Sequence, residues 1–420
     1  MSVKAKIKKI TALEILDSRG IPTLSVRIEL QGGVKASAQV PSGTSAGKHE
    51  AFELRDEEKS RYGGKGVLKA VRLVNRVIFP KLKGLSVLDQ KRIDDTLLQL
   101  DGTKNKSRLG ANSILGVSKA CARAGAYLSG LPLYSYLRKT YRLKHSGFRL
   151  PQPMFNLLNG GRHAESGMDV QEFMLVPQTK SFSESLRYAS ETFFALKKLL
   201  QLGKFSTGVG AEGGFAPLLS NSKQAIEVLL EATRQAGLPK GAVRLALDIA
   251  ASELYSESAR RYVFKREKAN FTTEQLIGWY IELVRSYPIV SIEDGLHEED
   301  WEGWQKMNQK LGRKIKVVGD DLTVTNPRRL QQAIDQQAIN ALIIKPNQIG
   351  SVSETIETIL LAQQNGIAII VSHRSGGTND SFIADLAVAV NAEFIKSGSV
   401  CRGERLAKYN RLLEIERQLK

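Results

Sequence analysis

The sequence predicts an α/β fold, a (β/α) barrel preceded by a smaller α+β domain, and two observations lead to it. Between residues 245 and 398 short apolar runs recur, and each one ends in a polar or charged residue. Buried parallel strands read as continuous apolar runs of this kind rather than as alternating ones. The polar ends are separated by 45, 27, 25, 28 and 23 residues, close to the length of a strand, a helix and two loops. Such repeated strand–helix units are typical of a parallel barrel.

Chain length leaves room for one further domain. A barrel takes about 250 residues, and the chain has 420, so we expect domains over residues 1–145 and 146–420.

The composition, 42% hydrophobic and 25% charged, is ordinary for a globular protein. No apolar run approaches the roughly 20 residues of a membrane span, and no secretory signal is evident, so a cytoplasmic location is expected. Cys121 and Cys401 have no metal-ligand spacing and predict free thiols.

The N-terminal part predicts antiparallel strands followed by helices. Residues 25–30 alternate between polar and apolar, and a Gln-Gly-Gly turn leads into a second strand over 34–40. Apolar spacing predicts helices over 67–82 and 109–128. Between these elements lies a loop of small residues, 41–47. It is either a plain connection or a mobile flap over a ligand, and composition alone favours the connection.

Positive charge is concentrated in the N-terminal domain. The whole chain has a formal net charge of +18, and residues 1–145 contain 28 Lys+Arg against 12 Asp+Glu. Such a surface could attract RNA, anionic lipid or an acidic protein partner. The alternative is a solvated basic face, which is favoured because no nucleic-acid motif accompanies the charge.

The second domain opens with strands and glycine-rich loops. Strands are expected over 154–158 and 171–177, and glycine-rich loops over 159–164 and 209–217, the second carrying one carboxylate. A hairpin or irregular insert over 255–264 accounts for the long 45-residue step. Helices are predicted over residues 183–202, 223–236, 273–286, 301–311, 327–336, 353–364, 379–390 and 404–418.

Three carboxylates occupy equivalent strand ends: Asp248, Glu293 and Asp320. The strand ends of a barrel meet at one rim, and three oxygen ligands with open positions suit Mg²⁺. The chain has no cysteine cluster and no HExxH motif, which argues against zinc. A single Asp at a strand end is often a helix N-cap, but three at the same relative position favour a metal.

Cationic residues end the remaining strands. Lys345 is either an ordinary exposed lysine or a buried base whose pKa is lowered by burial and by Lys396. The stretch 372–376 supplies Arg374 and hydroxyl groups suited to a phosphate or carboxylate. Glu172 and Glu212 are candidates for a general acid. Together these groups predict proton abstraction beside a metal-bound carboxylate, followed by loss of a leaving group.

At these positions the chain resembles the enolase family, the phosphopyruvate hydratases of glycolysis. Each motif alone is modest evidence, but they run nearly end to end in the right order. The matching segments are Asp17-Ser18-Arg19-Gly20, Pro41-Ser42-Gly43, Glu53-Leu54-Arg55-Asp56, Gly110-Ala111-Asn112, Asn159-Gly160-Gly161 with His163-Ala164, Gln171-Glu172-Phe173-Met174, Glu212-Gly213-Gly214, Ser291-Ile292-Glu293-Asp294, Gly319-Asp320-Asp321-Leu322, Lys345 with Asn347-Gln348-Ile349-Gly350, Ser372-His373-Arg374-Ser375-Gly376, Ile395-Lys396 and Ala407-Lys408-Tyr409-Asn410.

The resemblance implies a modified TIM-type barrel with a ββαα start, preceded by an α+β domain carrying a mobile flap over 41–47. It implies Mg²⁺-dependent, reversible dehydration of 2-phosphoglycerate to phosphoenolpyruvate, with two Mg²⁺ ions per active site. The second ion would be held partly by the substrate and the flap. Family members are commonly homodimers or rings of dimers, and a secreted or surface pool without a signal peptide is compatible with the sequence.

The resemblance also implies a role for each site residue. The metal residues would be Asp248, Glu293 and Asp320, with Ser42 of the flap for the second ion. Lys345 would take the C2 proton, and Glu212, helped by Glu172, would protonate the departing hydroxyl. Lys396 would bind the carboxylate side of the substrate, and Arg374 with Ser375 the phosphate. The pocket would be completed by His163, Gln171 and His373.

This chain departs from the usual family pattern in three loops. Ala211 stands where the family usually has Asp, and Gly377 and Asn379 stand where it usually has Glu. The flap reads Thr44-Ser45-Ala46 in place of Ala-Ser-Thr. None removes a residue with a primary role. The alternative hypothesis is therefore a paralogue with impaired or altered catalysis, which binds RNA or a surface through its basic N-terminal domain.

Overall fold

The computed structural model describes residues 3–43, 47–164 and 168–420. Residues 44–46 of the predicted flap therefore lie outside the described residues, as do residues 165–167. In the described part, no helix is long and apolar enough to cross a membrane.

The N-terminal domain packs helices on a three-stranded antiparallel sheet. The strands, in the order β1-β2-β3, are β1 Ile7–Leu16, β2 Pro22–Leu30 and β3 Lys35–Gln39. The helices are α1 Leu68–Leu73, α2 Phe79–Leu82, α3 Gln90–Asp101, α4 Ala111–Leu128 and α5 Leu133–Thr140, with a π-helical turn at Val74–Ile78 joining α1 and α2. The predicted helix over 67–82 thus exists with a π turn in its middle, and α3 was not predicted.

Helix α4 lies close on the sheet because its inner face is built from small residues. A Cβ atom added at Gly116 would come within 2.6 Å of Cγ2 of Val26 on β2. Ile28, Val117 and Ala120 belong to the apolar cluster between helix and sheet. The alanine- and glycine-rich composition of this helix therefore sets how near it approaches the sheet.

Strands of the second domain form a barrel with a small inserted sheet. Their bounds are β4 Gln152–Asn159, β5 Glu172–Pro177, β6 Val243–Asp248, β7 Tyr255–Ser256, β8 Arg261–Phe264, β9 Ala269–Phe271, β10 Ile289–Glu293, β11 Lys316–Gly319, β12 Ala341–Ile344, β13 Ala368–Ser372 and β14 Phe394–Lys396. The closed barrel runs β4-β5-β6-β10-β11-β12-β13-β14, and β7-β8-β9 form the separate sheet. The predicted barrel and the predicted insert are both confirmed.

Helices surround the barrel, and their bounds are α6 Phe182–Leu202, α7 Ser222–Gln235, α8 Thr273–Ser286, α9 Trp301–Leu311, α10 Pro327–Asp335, α11 Pro346–Ile349, α12 Val352–Gln364, α13 Phe382–Ala389 and α14 Gly403–Leu419. Side-chain caps fix several of their starts. Thr272 and Gln275 form a capping box at α8, and Asp300 caps α9 by accepting from the amide of Gly303. The chain order β4-β5-α6-α7-β6 is the ββαα start that the resemblance implied.

Strand β5 runs opposite to the other barrel strands. It is antiparallel to β4 and to β6, while the remaining neighbours are parallel. The register pairs Glu172 with both Asn159 and Asp248, and Asp248 with Glu293. The start of β5 therefore lies on the same rim as the carboxyl ends of its neighbours, which brings Glu172 to the predicted site.

The two domains meet at this rim through buried polar contacts. Ser42 and Gly376 exchange backbone hydrogen bonds of 2.9 Å in both directions. Asp94 on α3 accepts from the amide and the hydroxyl of Ser353 on α12, at 3.0 and 2.7 Å. The N-terminal domain is therefore fixed against the barrel mouth, where it can supply residues to the site.

Candidate active site

A polar cavity opens at the carboxyl-terminal rim of the barrel. Its lining includes most of the residues that the sequence singled out: His163, Gln171, Glu172, Glu212, Asp248, Asp320, Lys345, His373, Arg374, Ser375 and Lys396. Lining residues that were not singled out are Glu50, Ala250, Glu253, Asp294, Asp321 and Ser372. Most of the predicted site residues therefore converge on one pocket, while Glu293 and Ser42 are not part of its lining.

The Lys396 ammonium group lies among three carboxylates. Its Nζ is 2.9 Å from Oδ2 of Asp248, 2.9 Å from both carboxylate oxygens of Glu293, and 3.0 Å from Oε2 of Glu172. All four side chains are buried. Burial alone would lower the pKa of Lys396, but the three carboxylates outweigh it and raise that pKa well above its usual value.

Lys345 is paired with Asp320 on the neighbouring strand end. The Asp320 carboxylate also accepts from Nε2 of Gln348 at 3.0 Å. Burial lowers the pKa of Lys345, but the Asp320 charge outweighs it, so that the pKa is raised. The sequence-based expectation of a lowered Lys345 pKa is therefore wrong for this arrangement, because pairing at the rim outweighs burial and the Lys396 charge.

Glu212 and Glu172 face each other across His163 on the opposite side of the pocket. Nδ1 of His163 lies 3.2 Å from Oε1 of Glu172 and 3.7 Å from Oε1 of Glu212. The second oxygen of Glu212 accepts from Nδ2 of Asn156 at 3.1 Å and lies 3.3 Å from Nε2 of His373. Glu212 thus has one oxygen toward His163 and the other toward His373.

The surroundings of Glu172 and Glu212 shift the pKa values of their carboxyl groups in opposite directions. Burial and the Glu212 charge raise the pKa of Glu172. Burial also opposes ionisation of Glu212, but His163 and His373 outweigh it and lower the pKa of Glu212 well below its usual range. The pKa of His163 is raised, since both glutamates outweigh its burial. Without substrate, a shared proton therefore rests on Glu172 or His163 rather than on Glu212.

The loop that carries Glu212 approaches strand β4 very closely. A Cβ atom added at Gly214 would lie 2.8 Å from Oδ1 of Asn159 and 2.9 Å from the carbonyl oxygen of Asn156. Only glycine fits this space without a shift of the loop. The glycine-rich sequence is therefore what lets the loop place Glu212 inside the barrel mouth.

Arg374 is held by a residue of the N-terminal domain. Its Nη1 donates to Oε2 of Glu50 at 2.8 Å, and its Nη2 donates to Oε1 at 3.1 Å. The Glu50 charge outweighs burial and raises the pKa of Arg374. Sequence reasoning missed Glu50, although it lies just beyond the glycine-rich flap, where a residue that reaches the barrel was to be expected.

The carboxylates at the rim fit a divalent cation. Burial and the Asp248 charge raise the pKa of Glu293 well above its usual value, so this buried acid lacks sufficient positive charge nearby. Oε1 of Gln171 is buried with no hydrogen-bond partner among the described residues. Asp294, Asp320 and Asp321 place three carboxylate oxygens within 4.8 Å of one another, a group that contains Asp320 but neither Asp248 nor Glu293. Such all-oxygen sets match the preference of Mg²⁺.

Two predicted residues are placed differently from the others. Lys396, assigned to the substrate, bridges Asp248 and Glu293, two of the predicted metal residues. The Ser42 hydroxyl donates to Oε2 of Glu53 at 3.0 Å and accepts from Nη2 of Arg55 at 2.9 Å. Any metal ligation by Ser42 thus requires this hydroxyl to change partners.

Arg405 is a further buried residue that the motifs did not single out. Its Nη1 donates to Nδ1 of His373, and its Nη2 donates to the carbonyl oxygens of Ala211 and Ser375. A Cβ atom at Gly377 would lie 3.1 Å from the same Nη1. Ala211 and Gly377, two of the positions where the resemblance leads one to expect a carboxylate, therefore lie next to the guanidinium group of Arg405.

Comparison with known proteins matches both domains. The family model described as "Enolase, N-terminal domain" matches residues 7–137, and the model described as "Enolase, C-terminal TIM barrel domain" matches residues 147–420. Among curated relatives, a protein named Enolase from Elusimicrobium minutum (strain Pei191) is 52% identical over 416 residues. That match spans 99% of this chain and 96% of the relative. Similarity therefore extends over the whole length of both proteins.

Proposed function

This chain belongs to the enolase family, and from that premise we propose that the barrel-rim pocket is where it interconverts 2-phosphoglycerate and phosphoenolpyruvate. Members of this family are carbon–oxygen hydro-lyases, phosphopyruvate hydratases of glycolysis. The observation that carries the proposal is that Lys345, Glu212 and Arg374 line one cavity at the barrel rim. A base, an acid and an anion-binding group around one cavity are what loss of water from a phosphorylated acid requires.

We propose that Lys345 takes the C2 proton of 2-phosphoglycerate on its Nζ. The C3 hydroxyl then leaves as water with a proton from Glu212, and a carbon–carbon double bond forms between C2 and C3. Because the pKa of Glu172 is raised and that of Glu212 is lowered, the proton must reach Glu212 from the His163–Glu172 side. Oε1 of Glu212 faces His163 at 3.7 Å, which supports this route.

Arg374 and Ser375 are proposed to bind the phosphate, and Lys396 the carboxylate side. Glu50 accepts hydrogen bonds from both terminal nitrogens of Arg374 and so fixes the orientation of its guanidinium group. Gln171 and His373 complete the pocket. Gln171 donates to Oδ2 of Asp248 at 3.3 Å, which leaves its own oxygen free to meet a ligand.

The metal is proposed to be Mg²⁺, with two ions per site. The first ion would be held by Asp248, Glu293 and Asp320. Ser42 and the substrate would take part in holding the second ion. If bound there, such ions would supply positive charge for the substrate carboxylate, and with Asp320 engaged as a ligand the pKa of Lys345 would fall toward that of a usable base. The buried excess of carboxylates at the rim supports a hard, oxygen-preferring cation.

The test is formation of phosphoenolpyruvate by the purified protein, followed by its ultraviolet absorbance. We expect turnover that requires added Mg²⁺ and disappears with a chelator. A folded, metal-loaded protein without turnover would refute the proposal. A Lys345→Met control, which retains the pocket volume but removes the base, separates this enzyme from a contaminating host activity.

We also propose a homodimer or ring of dimers located in the cytoplasm, without excluding a surface or secreted pool. Leu13 and Leu16 on β1 are 55% and 53% exposed, and exposed apolar side chains of this kind support contact between copies. Light scattering on the purified protein decides between a dimer and a larger ring. A monomer at micromolar concentration would contradict both.

A second role for the N-terminal domain, binding RNA or an acidic partner, rests on the charge of residues 1–145. Lys69, Arg72 and Arg76, on α1 and the adjoining π turn, are exposed cations that contribute to that charge. RNA binding should weaken steeply with salt. Binding that is absent or insensitive to salt would remove this role without affecting the catalytic one.

A further inference from the structure

Arg405 is a fully buried arginine at the centre of the site's supporting loops. It lies in the first turn of α14 and has 0% exposure. Beyond His373, its guanidinium donates to the carbonyl oxygens of Arg374 at 2.7 Å and Ala211 at 3.2 Å. Among the described residues it forms an ion pair with Glu404, whose Oε1 lies 3.4 Å from Nε. A buried charge that is costly to desolvate is thus directed mainly at neutral acceptors.

The contact with His373 determines where that ring carries its proton. A guanidinium group has only donors, so Nη1 of Arg405 must donate and Nδ1 of His373 must accept. Nδ1 therefore carries no hydrogen. A neutral imidazole then has its hydrogen on Nε2. Burial lowers the pKa of His373 to about 3, with Arg405 acting in the same direction, so the ring is neutral across the working pH range.

This tautomer determines what Glu212 can do. The Nε2 atom of His373 lies 3.3 Å from Oε2 of Glu212, and the same oxygen accepts from Asn156 at 3.1 Å. Asn156 thus donates to Oε2, and Nε2 of His373, which has no hydrogen-bond partner in the described part of the chain, becomes a second donor to this oxygen when the 3.3 Å contact shortens. Oε1, which faces His163 at 3.7 Å, is the oxygen left to receive and release a proton. Contacts of this length shorten when substrate closes a site.

We propose that Arg405 is a positioning residue that fixes the Nε2–H tautomer of His373 and so restricts the acid proton of Glu212 to Oε1. This inference rests on the proposed role of Glu212 as the acid. Arg405 does not line the pocket and would touch no substrate atom. Its loss should therefore change the catalytic step and leave substrate binding nearly unaffected, as with other residues that orient a catalytic side chain.

The experiment is ¹⁵N spectroscopy of protein labelled at its five histidines, with the His373 signals assigned from a His373→Asn variant. The expected wild-type result is a pyridine-type Nδ1 and a pyrrole-type Nε2 that do not change between pH 6 and 9. A wild-type His373 protonated on Nδ1 overturns the proposal, whatever the activity of the protein. The tautomer is thereby tested separately from the proposed function.

Variants then test the role of Arg405. We expect Arg405→Met to lose the single tautomer and to lower kcat at least about 10-fold, with KM within about twofold. Arg405→Lys is also a donor-only cation and should keep the tautomer and more of the kcat. A Met variant that folds, loses kcat and still keeps the Nε2–H tautomer would mean that Arg405 acts only as a structural clamp, which overturns the proposal.

Arg402→Met is the matched control. Arg402 lies three residues earlier, and it donates to the carbonyl oxygens of Ser18 at 3.0 Å and Gly210 at 3.4 Å but, among the described residues, makes no hydrogen bond to His373. Its loss removes loop anchoring of a similar kind without removing the donor to Nδ1. The His373 tautomer should be unchanged in this variant. A tautomer that changes equally in both variants contradicts the assignment to Arg405.

Discussion

Replacing Lys396 with methionine should destabilise the metal-free protein strongly. The substitution keeps the length and volume of the side chain but removes an ammonium group that lies 2.9–3.0 Å from the carboxylates of Asp248, Glu293 and Glu172. Three buried carboxylates then face one another without compensation. Removal of one partner from a buried ion pair costs about 3–5 kcal/mol, and with three partners we expect the upper part of that range.

Urea unfolding in the presence of a chelator measures this cost. At pH 7.5 the free energy of unfolding of Lys396→Met should be about 3–5 kcal/mol below that of the wild type. The folded-state pKa of Glu293 is already raised above its unfolded value, and loss of the ammonium raises it further. A group of this kind stabilises the fold at low pH and loses that contribution as the pH rises through its folded pKa. The deficit should therefore shrink as the pH falls from 8 to 5.

Added Mg²⁺ and a control variant at a second lysine provide two further comparisons. Added Mg²⁺ should restore stability in the variant, by about 2.7 kcal/mol at 100 times its Kd. The control is Lys345→Met, because Lys345 pairs with the single carboxylate of Asp320, and its cost should be smaller. A loss below about 1 kcal/mol for Lys396→Met, or a loss no larger than that of the control, would refute the reasoning.

Three further predictions concern the acid, the domain contact and the acid's neighbour. Glu212→Gln should leave exchange of the C2 proton with deuterated solvent intact and lower phosphoenolpyruvate formation by about 10²–10⁴-fold, since Lys345 remains. For Asp94, burial raises the pKa from 3.8 to about 6, so the folded state binds the proton more tightly. Relative to Asp94→Asn, the wild type should lose about 2.4 kcal/mol of stability as the pH rises from 4 to 7. Ala211→Asp places a like charge beside Glu212, which raises the pKa of that acid and should raise kcat, by up to about 10-fold per pKa unit.

Each has a measurement that decides against it. Loss of proton exchange together with dehydration in Glu212→Gln would mean that Glu212 is not the separate acid. The exposed neighbour Asp95→Asn is the control for Asp94, and an equal pH response in both variants contradicts the assignment. Ala211→Asn adds similar volume without charge. If it matches Ala211→Asp in kcat, or if the aspartate leaves kcat unchanged or lower, charge at this position does not tune the acid.

Local patterns were sufficient for most of the barrel. Helices over 273–286 and 301–311 have the predicted bounds, because their apolar spacing and their N-caps depend only on residues that are close together in the sequence. The π turn at Val74–Ile78 and helix α3 were missed, although Asp89 caps α3 by accepting from the amide of Arg92. The direction of β5 has no signature in its own apolar run. Family resemblance implied only the ββαα order, and the antiparallel pairing of β5 with β4 and β6 is seen in the tertiary structure.

The sequence by itself determined the fold class, the family and the set of residues at the barrel mouth, because strand ends and conspicuous motifs are local features of the chain. Only the tertiary structure decided how those residues share charge. Lys345 was expected to have a lowered pKa, yet Asp320 raises it, and Lys396 bridges carboxylates from three strands. Glu50 and Arg405 come from opposite ends of the chain and hold Arg374 and His373. The physical reason is that Coulomb and hydrogen-bond energies depend on distances of a few ångströms, which folding sets between residues far apart in sequence.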